Sequence, residues 1–302
     1  MRNLLTSILL TGLFSACLQD NKKSFWESKD AYFGQKLPGD TPEIFAPKML
    51  IDSGIVLGTV SFSADGKAFY YTQAKGWYAS EGSKTLQKVY KNGKWQTPTV
   101  LFEQVVNPTI SPDDSKMYFG GEGSKVRLSN RVNGQWTTPK VIHEKNYGLY
   151  NWYPTNNTNI FYVASNAHQG SKKDYSTYDF CKMVVSETDT TISSLGKPLN
   201  TSGFDGDFYI APDESYLIIS AKETPTYECE LWISFRKTDK TWSEPLSLGD
   251  AINKGAAHRF GQYVTPDGRF LIYTKGTSDK DCNFYWVRFD GLLERLKKKA
   301  GV

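Results

Sequence analysis

An all-β fold, a five-bladed propeller of four-stranded antiparallel blades, is predicted by three features of this sequence. The first is a phrase clearest in Val264-Thr265-Pro266-Asp267-Gly268-Arg269-Phe270-Leu271-Ile272-Tyr273, which reads apolar strand, Pro-Asp-Gly turn, apolar strand. Proline presets φ, aspartate bonds its own backbone, and glycine accepts the left-handed conformation that closes a hairpin. Copies carry Asp65-Gly66, Asp113-Asp114 and Asp213-Glu214, and a worn copy is marked by Asn156-Asn157. Their spacing of roughly fifty residues fits propeller blades. The second feature is a tryptophan three residues before a proline: Trp95 to Pro98, Trp136 to Pro139, Trp242 to Pro245, with Leu195 to Pro198 repeating the spacing. Such a proline suits an outermost strand, which can leave an amide unpaired. The third is that the last repeat has no fourth strand, while 41–51 carry the marks of one, Ile44 standing three residues before Pro47. Both types of mark count to five blades, with six as the alternative if one blade is too eroded to see.

In chain order, 1–17 read as a targeting segment: Arg2 gives a positive start, 4–14 are apolar and too short to span a bilayer, and Leu13-Phe14-Ser15-Ala16-Cys17 follows. Small residues before a cysteine resemble a bacterial lipobox, which implies lipidation of Cys17; an ordinary signal peptide is the alternative, and Phe14 departs from the usual leucine. Polar residues 18–40 read as a tether, and 41–302 as one propeller domain. In the first repeat, 58–63, 67–73, 85–90 and 94–102 are strands a to d, with Asn92-Gly93 as the c–d turn. Residues 41–51 then add strand d to the last blade, which removes a free sheet edge and closes the ring.

The Ser/Thr-Pro-Asp-Gly-Lys/Arg strand pairs resemble the WD-like, PD-type repeat of TolB-like propellers and of many bacterial lipoproteins, over about 41–290. That resemblance implies a periplasmic or outer-membrane setting in the cell envelope and is poor for function, since such propellers serve as scaffolds, binding proteins and enzyme partners. A formal net charge of +4 argues against nucleic acid as a partner. Aromatic residues make up 14% of the chain, as strands packed on both faces require. Cys181, Cys229 and Cys282 stand at equivalent places before strand c; an exported location permits a disulfide among them, and buried free thiols are the other reading. With no C-x-x-C or Cys/His spacing, neither metal nor cofactor is expected.

Strand a lies along the axis, so the d–a and b–c loops share one face and the Asp-Gly turns lie on the other. Asp65, Gly66, Asp113, Asp213, Asp267 and Gly268 are therefore structural. Tyr150, Trp152, Asp205, Asp207, His258 and Arg259 fall on the loop face, where aromatics flanking charges suit a glycan or protein ligand. The b–c loop 165–178, with His168, Lys172, Lys173, Tyr175 and Tyr178, joins them. Against this, Trp152 can pack between blades, the two aspartates can bond loop amides, and His258 and Arg259 can pair with them. No G-x-S-x-G or H-E-x-x-H motif occurs. The sequence therefore predicts a monomeric, membrane-anchored binding module. A glycoside hydrolase or lyase using Asp52, Asp205, Asp207 and His258 is the alternative, weakened because two of its acids come from one blade.

Overall fold

A computed structural model describes residues 24–51, 53–77, 82–120, 124–169 and 174–302. Cys17, Asp52, Lys172 and Lys173 lie outside the described residues. Strand β1 (Glu43–Ile44) precedes the first blade, made of β2 (Ile55–Phe62), β3 (Ala68–Ala74), β4 (Lys84–Lys91), β5 (Lys94–Trp95) and β6 (Thr99–Glu103). Blade two holds β7 (Pro108–Ile110), β8 (Lys116–Phe119), β9 (Lys125–Val132), β10 (Gln135–Trp136) and β11 (Lys140–Glu144). The expected single outer strand is thus split in both blades on either side of Pro98 and Pro139. Blade three is β12 (Tyr150–Pro154), β13 (Ile160–Ser165), β14 (Asp179–Val185) and β15 (Thr190–Ser194). Blade four is β16 (Phe208–Ile210), β17 (Tyr216–Ala221), β18 (Glu230–Phe235) and β19 (Leu246–Ser247), followed by the short helix α1 (Asp250–Asn253). Blade five, β20 (His258–Val264), β21 (Phe270–Ser278) and β22 (Asp281–Arg288), leads into helix α2 (Asp290–Ala300).

Five blades, not six, form the ring. The inner strands close it, with β2 on β7, β7 on β12, β12 on β16, β16 on β20 and β20 on β2. β1 supplies the missing outer strand of blade five, Glu43 opposite Trp286 and Ile44 opposite Tyr285. Phe45 N–H continues the ladder to Phe284 O at 2.8 Å.

The repeated aspartates are turn-formers. Asp65 accepts from Ser63 Oγ at 2.7 Å and Lys67 N at 3.0 Å, and Asp267 accepts from Thr265 Oγ1 at 2.6 Å. In blade three Asn157 performs this task, accepting from Asn159 N at 3.1 Å, so the mark placed on Asn156 belongs one residue later. The next position is left-handed in four blades, at Gly66, Asp114, Glu214 and Gly268. Where it is not glycine, the side chain grips the preceding blade. Asp114 accepts from Ala64 N at 3.0 Å, and Glu214 takes Tyr162 OH and Lys182 Nζ, each at 2.7 Å.

The tether reading of 18–40 is corrected over 24–40, which forms an aromatic strap across blades one and five. Trp26, Tyr32 and Phe33 are buried with Phe45, Phe62, Phe69, Phe270 and Trp286. Trp26 Nε1 donates to Ala64 O at 3.0 Å and Trp95 Nε1 to Asp30 O at 2.7 Å. A Cβ on Gly66 would stand 2.9 Å from the Trp26 ring, so this turn needs glycine for space as well as for φ. The stretch is polar on average, and its apolar residues are concentrated at Phe25-Trp26 and Tyr32-Phe33; composition hid what position reveals.

The three described cysteines are free and buried. Each has its own neighbourhood: Cys181 Sγ lies 3.5 Å from Ser165 O, Cys229 Sγ 3.1 Å from Arg259 O, and Cys282 Sγ accepts from Trp77 Nε1 at 3.2 Å. Equivalent positions on radiating blades are held apart, so the disulfide that their matching register permitted is not made.

Candidate functional site at the mouth of the ring

The axis itself is filled. Gly58 and Gly261, both at positive φ, let β2 and β20 touch, and a Cβ on Gly261 would lie 2.3 Å from Gly58 O. Beside them Thr59 Oγ1 and Tyr153 OH meet at 3.1 Å across the ring. A ligand therefore meets the mouth of the ring and does not pass through it.

At that mouth blades three, four and five converge on Asp207, the residue before β16. Its Oδ1 accepts from Asn151 Nδ2 at 3.0 Å and from Tyr150 OH at 3.3 Å. Its Oδ2 lies 3.9 Å from His258 Nε2, the two side chains being 7% and 12% exposed. Burial pushes the Asp207 carboxyl up to about 6, against the opposing pull of Asn151 and Tyr150. Burial also lowers His258 to about 4, so at neutral pH this is a neutral imidazole beside a carboxylate and not an ion pair. The imidazole stacks on Phe260 at 4.2 Å and receives the edge of Trp77 at 5.2 Å, with Tyr227 5.8 Å away.

Next to this pair stand Glu223 and Cys229, which with His258 offer ligand atoms all within 4.8 Å of one another. The Glu223 carboxyl is pushed up to about 7 by burial and then by the charges of Asp207 and Asp205. Burial raises the Cys229 thiol to about 12. Neither residue was singled out for the site from sequence. The signal was present, because 222–229 form the b–c loop of blade four, which shares a face with the d–a loops.

The other expected site residues do different work. Arg259 is 1% exposed and spends all five N–H groups on carbonyls: Nε on Ile252, Nη1 on Cys229 and Ala257, Nη2 on Lys254 and Gly255. It is a loop clamp, corrected from a ligand-binding role, because alternation along β20 turns it away from His258. Trp152 likewise leaves the mouth and packs at 4.8 Å from Phe161 and 6.1 Å from Tyr118, between blades two and three. Asp205 closes its own loop, accepting from Thr201 N at 2.6 Å and Thr201 Oγ1 at 3.1 Å. In the 165–178 loop, His168 lies 3.4 Å from Asp179 and Tyr178 is buried. A Cβ on Gly148 would fall 2.0 Å from the Tyr178 ring. On the opposite face a cleft of about 580 Å³ separates α2 from the base of blade four, lined by Asp213, Tyr216, Arg236 and Lys297 among others, with no buried charge converging on it.

Asp207→Asn is expected to stabilise the chelator-treated protein, since the amide keeps an acceptor for Asn151 and Tyr150 without a buried charge. The sign follows from the raised carboxyl. Below pH 3.8 both folded and unfolded chains are protonated; between there and about 6 the folded state holds the proton more tightly. Above about 6 the folded chain bears the whole desolvation penalty, at most about 3 kcal/mol. The variant's thermal midpoint should thus match wild type near pH 3.5 and exceed it by several degrees at pH 7.5; a constant offset would overturn this account.

No family model matches the chain, and no curated protein matches it. Among solved structures, a putative TolB from Agrobacterium tumefaciens is similar at 16% identity and a TM-score of 0.48, over 79% of this chain and 78% of that one. TolB from Acinetobacter baumannii gives 13% and 0.46 over 77% of this chain, which spans only 54% of that protein's length. An oligogalacturonate lyase in complex with manganese gives 13% and 0.42, over 81% and 68%.

Proposed function

We propose that the protein is a lipid-anchored binding module of the cell envelope, monomeric, which recognises a glycan chain at the mouth of its ring. One observation carries the reading: the partly exposed Trp77 and the exposed Tyr227 stand over the half-buried His258, beside the buried Asp207. Sugars present apolar faces that stack on aromatic rings and hydroxyls that need fixed acceptors, and this site offers both. The plugged axis suits the end or edge of a glycan more than a threaded chain. The TolB-like repeat and the leader ending at Cys17 support an envelope setting.

The test is a glycan array followed by calorimetry on the best hit. Trp77→Ala with Tyr227→Ala should weaken binding at least about tenfold, as the loss of stacking worth roughly 1–2 kcal/mol requires. Asp207→Asn should weaken it while raising the stability of the chelator-treated protein. Retention of full affinity in both variants would refute the site, and release of reducing ends would make the protein a carbohydrate-active enzyme. Silence across the array would leave a protein partner as the ligand. For the anchor, Cys17→Ser is expected to move the protein from membrane pellets to the soluble fraction; unchanged pelleting would refute acylation.

A further inference from the structure

We infer that the mouth of the ring is also a zinc site, with the Glu223 carboxylate, the Cys229 thiolate and a ring nitrogen of His258 as its protein ligands. The assignment is independent of glycan recognition, since it needs only the chain's own side chains. The three ligand atoms lie within 4.8 Å of one another. A tetrahedral zinc with bonds of about 2.0–2.3 Å holds its ligands roughly 3.3–3.8 Å apart, so small movements of Glu223 and Cys229 toward the fixed imidazole complete the set. Mixed nitrogen, sulfur and oxygen donors suit this borderline ion better than magnesium or calcium, which take oxygen alone.

A second observation points the same way. Both ring nitrogens of His258 are inaccessible to solvent and have no hydrogen-bond partner. Orphaned buried polar atoms are rare in folded proteins, and leaving one unmatched costs about 1–3 kcal/mol. The imidazole has no freedom to seek a partner, because Phe260 stacks beneath it at 4.2 Å and Trp77 closes its edge. A metal ion supplies the missing partner of one of the two nitrogens. The Arg259 amide donates to Cys229 Sγ at 3.2 Å, a bond that a thiolate strengthens, and metal binding would replace the thiol's own contact with Arg259 O at 3.1 Å. Asp207, with Oδ2 3.9 Å from His258 Nε2, adds a second carboxylate to balance the ion's charge. Three protein ligands leave a fourth position for water or for a ligand hydroxyl.

Glu223 and Cys229 come from the two ends of the loop between β17 and β18, and His258 is the first residue of β20. No local spacing announces them, and the sequence expectation of no metal rested on local spacing alone.

The experiment uses the full-length chain in a Cys17→Ser background, stripped with chelator and titrated with Zn²⁺ against a chromophoric competitor. One equivalent should bind, and Co²⁺ in its place should show a thiolate-to-cobalt charge-transfer band. Glu223→Gln and Cys229→Ser should each weaken zinc binding at least about tenfold, and Cys229→Ser should abolish the band, while Cys282→Ser changes neither. If Cys229→Ser fails to fold, Glu223→Gln at a half-buried position decides. Failure to take up one equivalent, unchanged affinity in Glu223→Gln, or a cobalt spectrum without thiolate character would overturn the assignment. Each of these is read without any glycan, so it leaves the recognition hypothesis standing or falling separately.

Discussion

Tyr32→Ala is expected to lower the unfolding free energy by about 3–5 kcal/mol, the range for emptying a large aromatic from a packed core. Tyr32 is fully buried and lies within 6 Å of four rings: Trp26 at 5.2 Å, Phe62 at 5.9 Å, Phe270 at 4.9 Å and Trp286 at 5.8 Å. Those rings belong to the strap, blade one and blade five, so the cavity would open where the ring is closed. Tyr32 and Phe33 are held at positive φ, at 52° and 67°, which non-glycine residues adopt only when packing over-determines them. The hydroxyl adds a bond to Asp267, so Tyr32→Phe should cost a smaller amount, about 1 kcal/mol. Deleting 24–40 should leave an insoluble chain, because Phe62, Phe69 and Phe270 would lose their cover. Urea unfolding of the two point variants decides it, and a Tyr32→Ala loss below about 1 kcal/mol would show that the strap is dispensable.

Arg259→Met is expected to be as damaging, and Arg259→Lys not to rescue it. Five carbonyls converge on the guanidinium, and a methionine of similar length takes its donors from all of them, including those of the buried Ile252 and Cys229, while Ala257 O keeps the Cys229 N–H at 3.0 Å. Losing even two or three of these bonds at about 1–2 kcal/mol each approaches the whole stability of many domains. Lysine has three donors on one atom and cannot span the fork, so a loss of about 2–3 kcal/mol should remain. The clamp ties the loop after α1 to the start of β18, the same loop that presents His258. Thermal unfolding and glycan binding should therefore fail together in Arg259→Lys. Normal stability with lost binding would instead return Arg259 to the role of a ligand-contacting residue.

The strand and turn grammar was legible, apart from the blade-three mark and the split outer strands, because it is local. Asp65, Asp113, Asp213 and Asp267 bond backbone two residues away, a geometry that any chain with those residues adopts, and the apolar runs around them specify strands of alternating burial. Ring closure was legible for a related reason: a missing outer strand at one end and a spare one at the other leave a single way to remove the edge.

The site was legible only in part. Asp207, Tyr150 and His258 do come together, as the loop-face argument required, but Arg259 and Trp152 turn away, and Glu223, Trp77 and Tyr227 join from loops that carry no repeat. Alternation along a strand fixes which face a residue takes, yet a bulge shifts it by one position, and bulges interrupt β2, β12 and β20 near the mouth.

What the sequence by itself determined is the blade: five hairpins whose turns, registers and buried faces follow from contacts a few residues apart. Which side chains share the mouth was decided only by the tertiary structure. Glu223 and Cys229 share one hairpin loop between β17 and β18, but His258 meets them only because blade five packs against blade four, and no pairwise spacing along the chain encodes that distance.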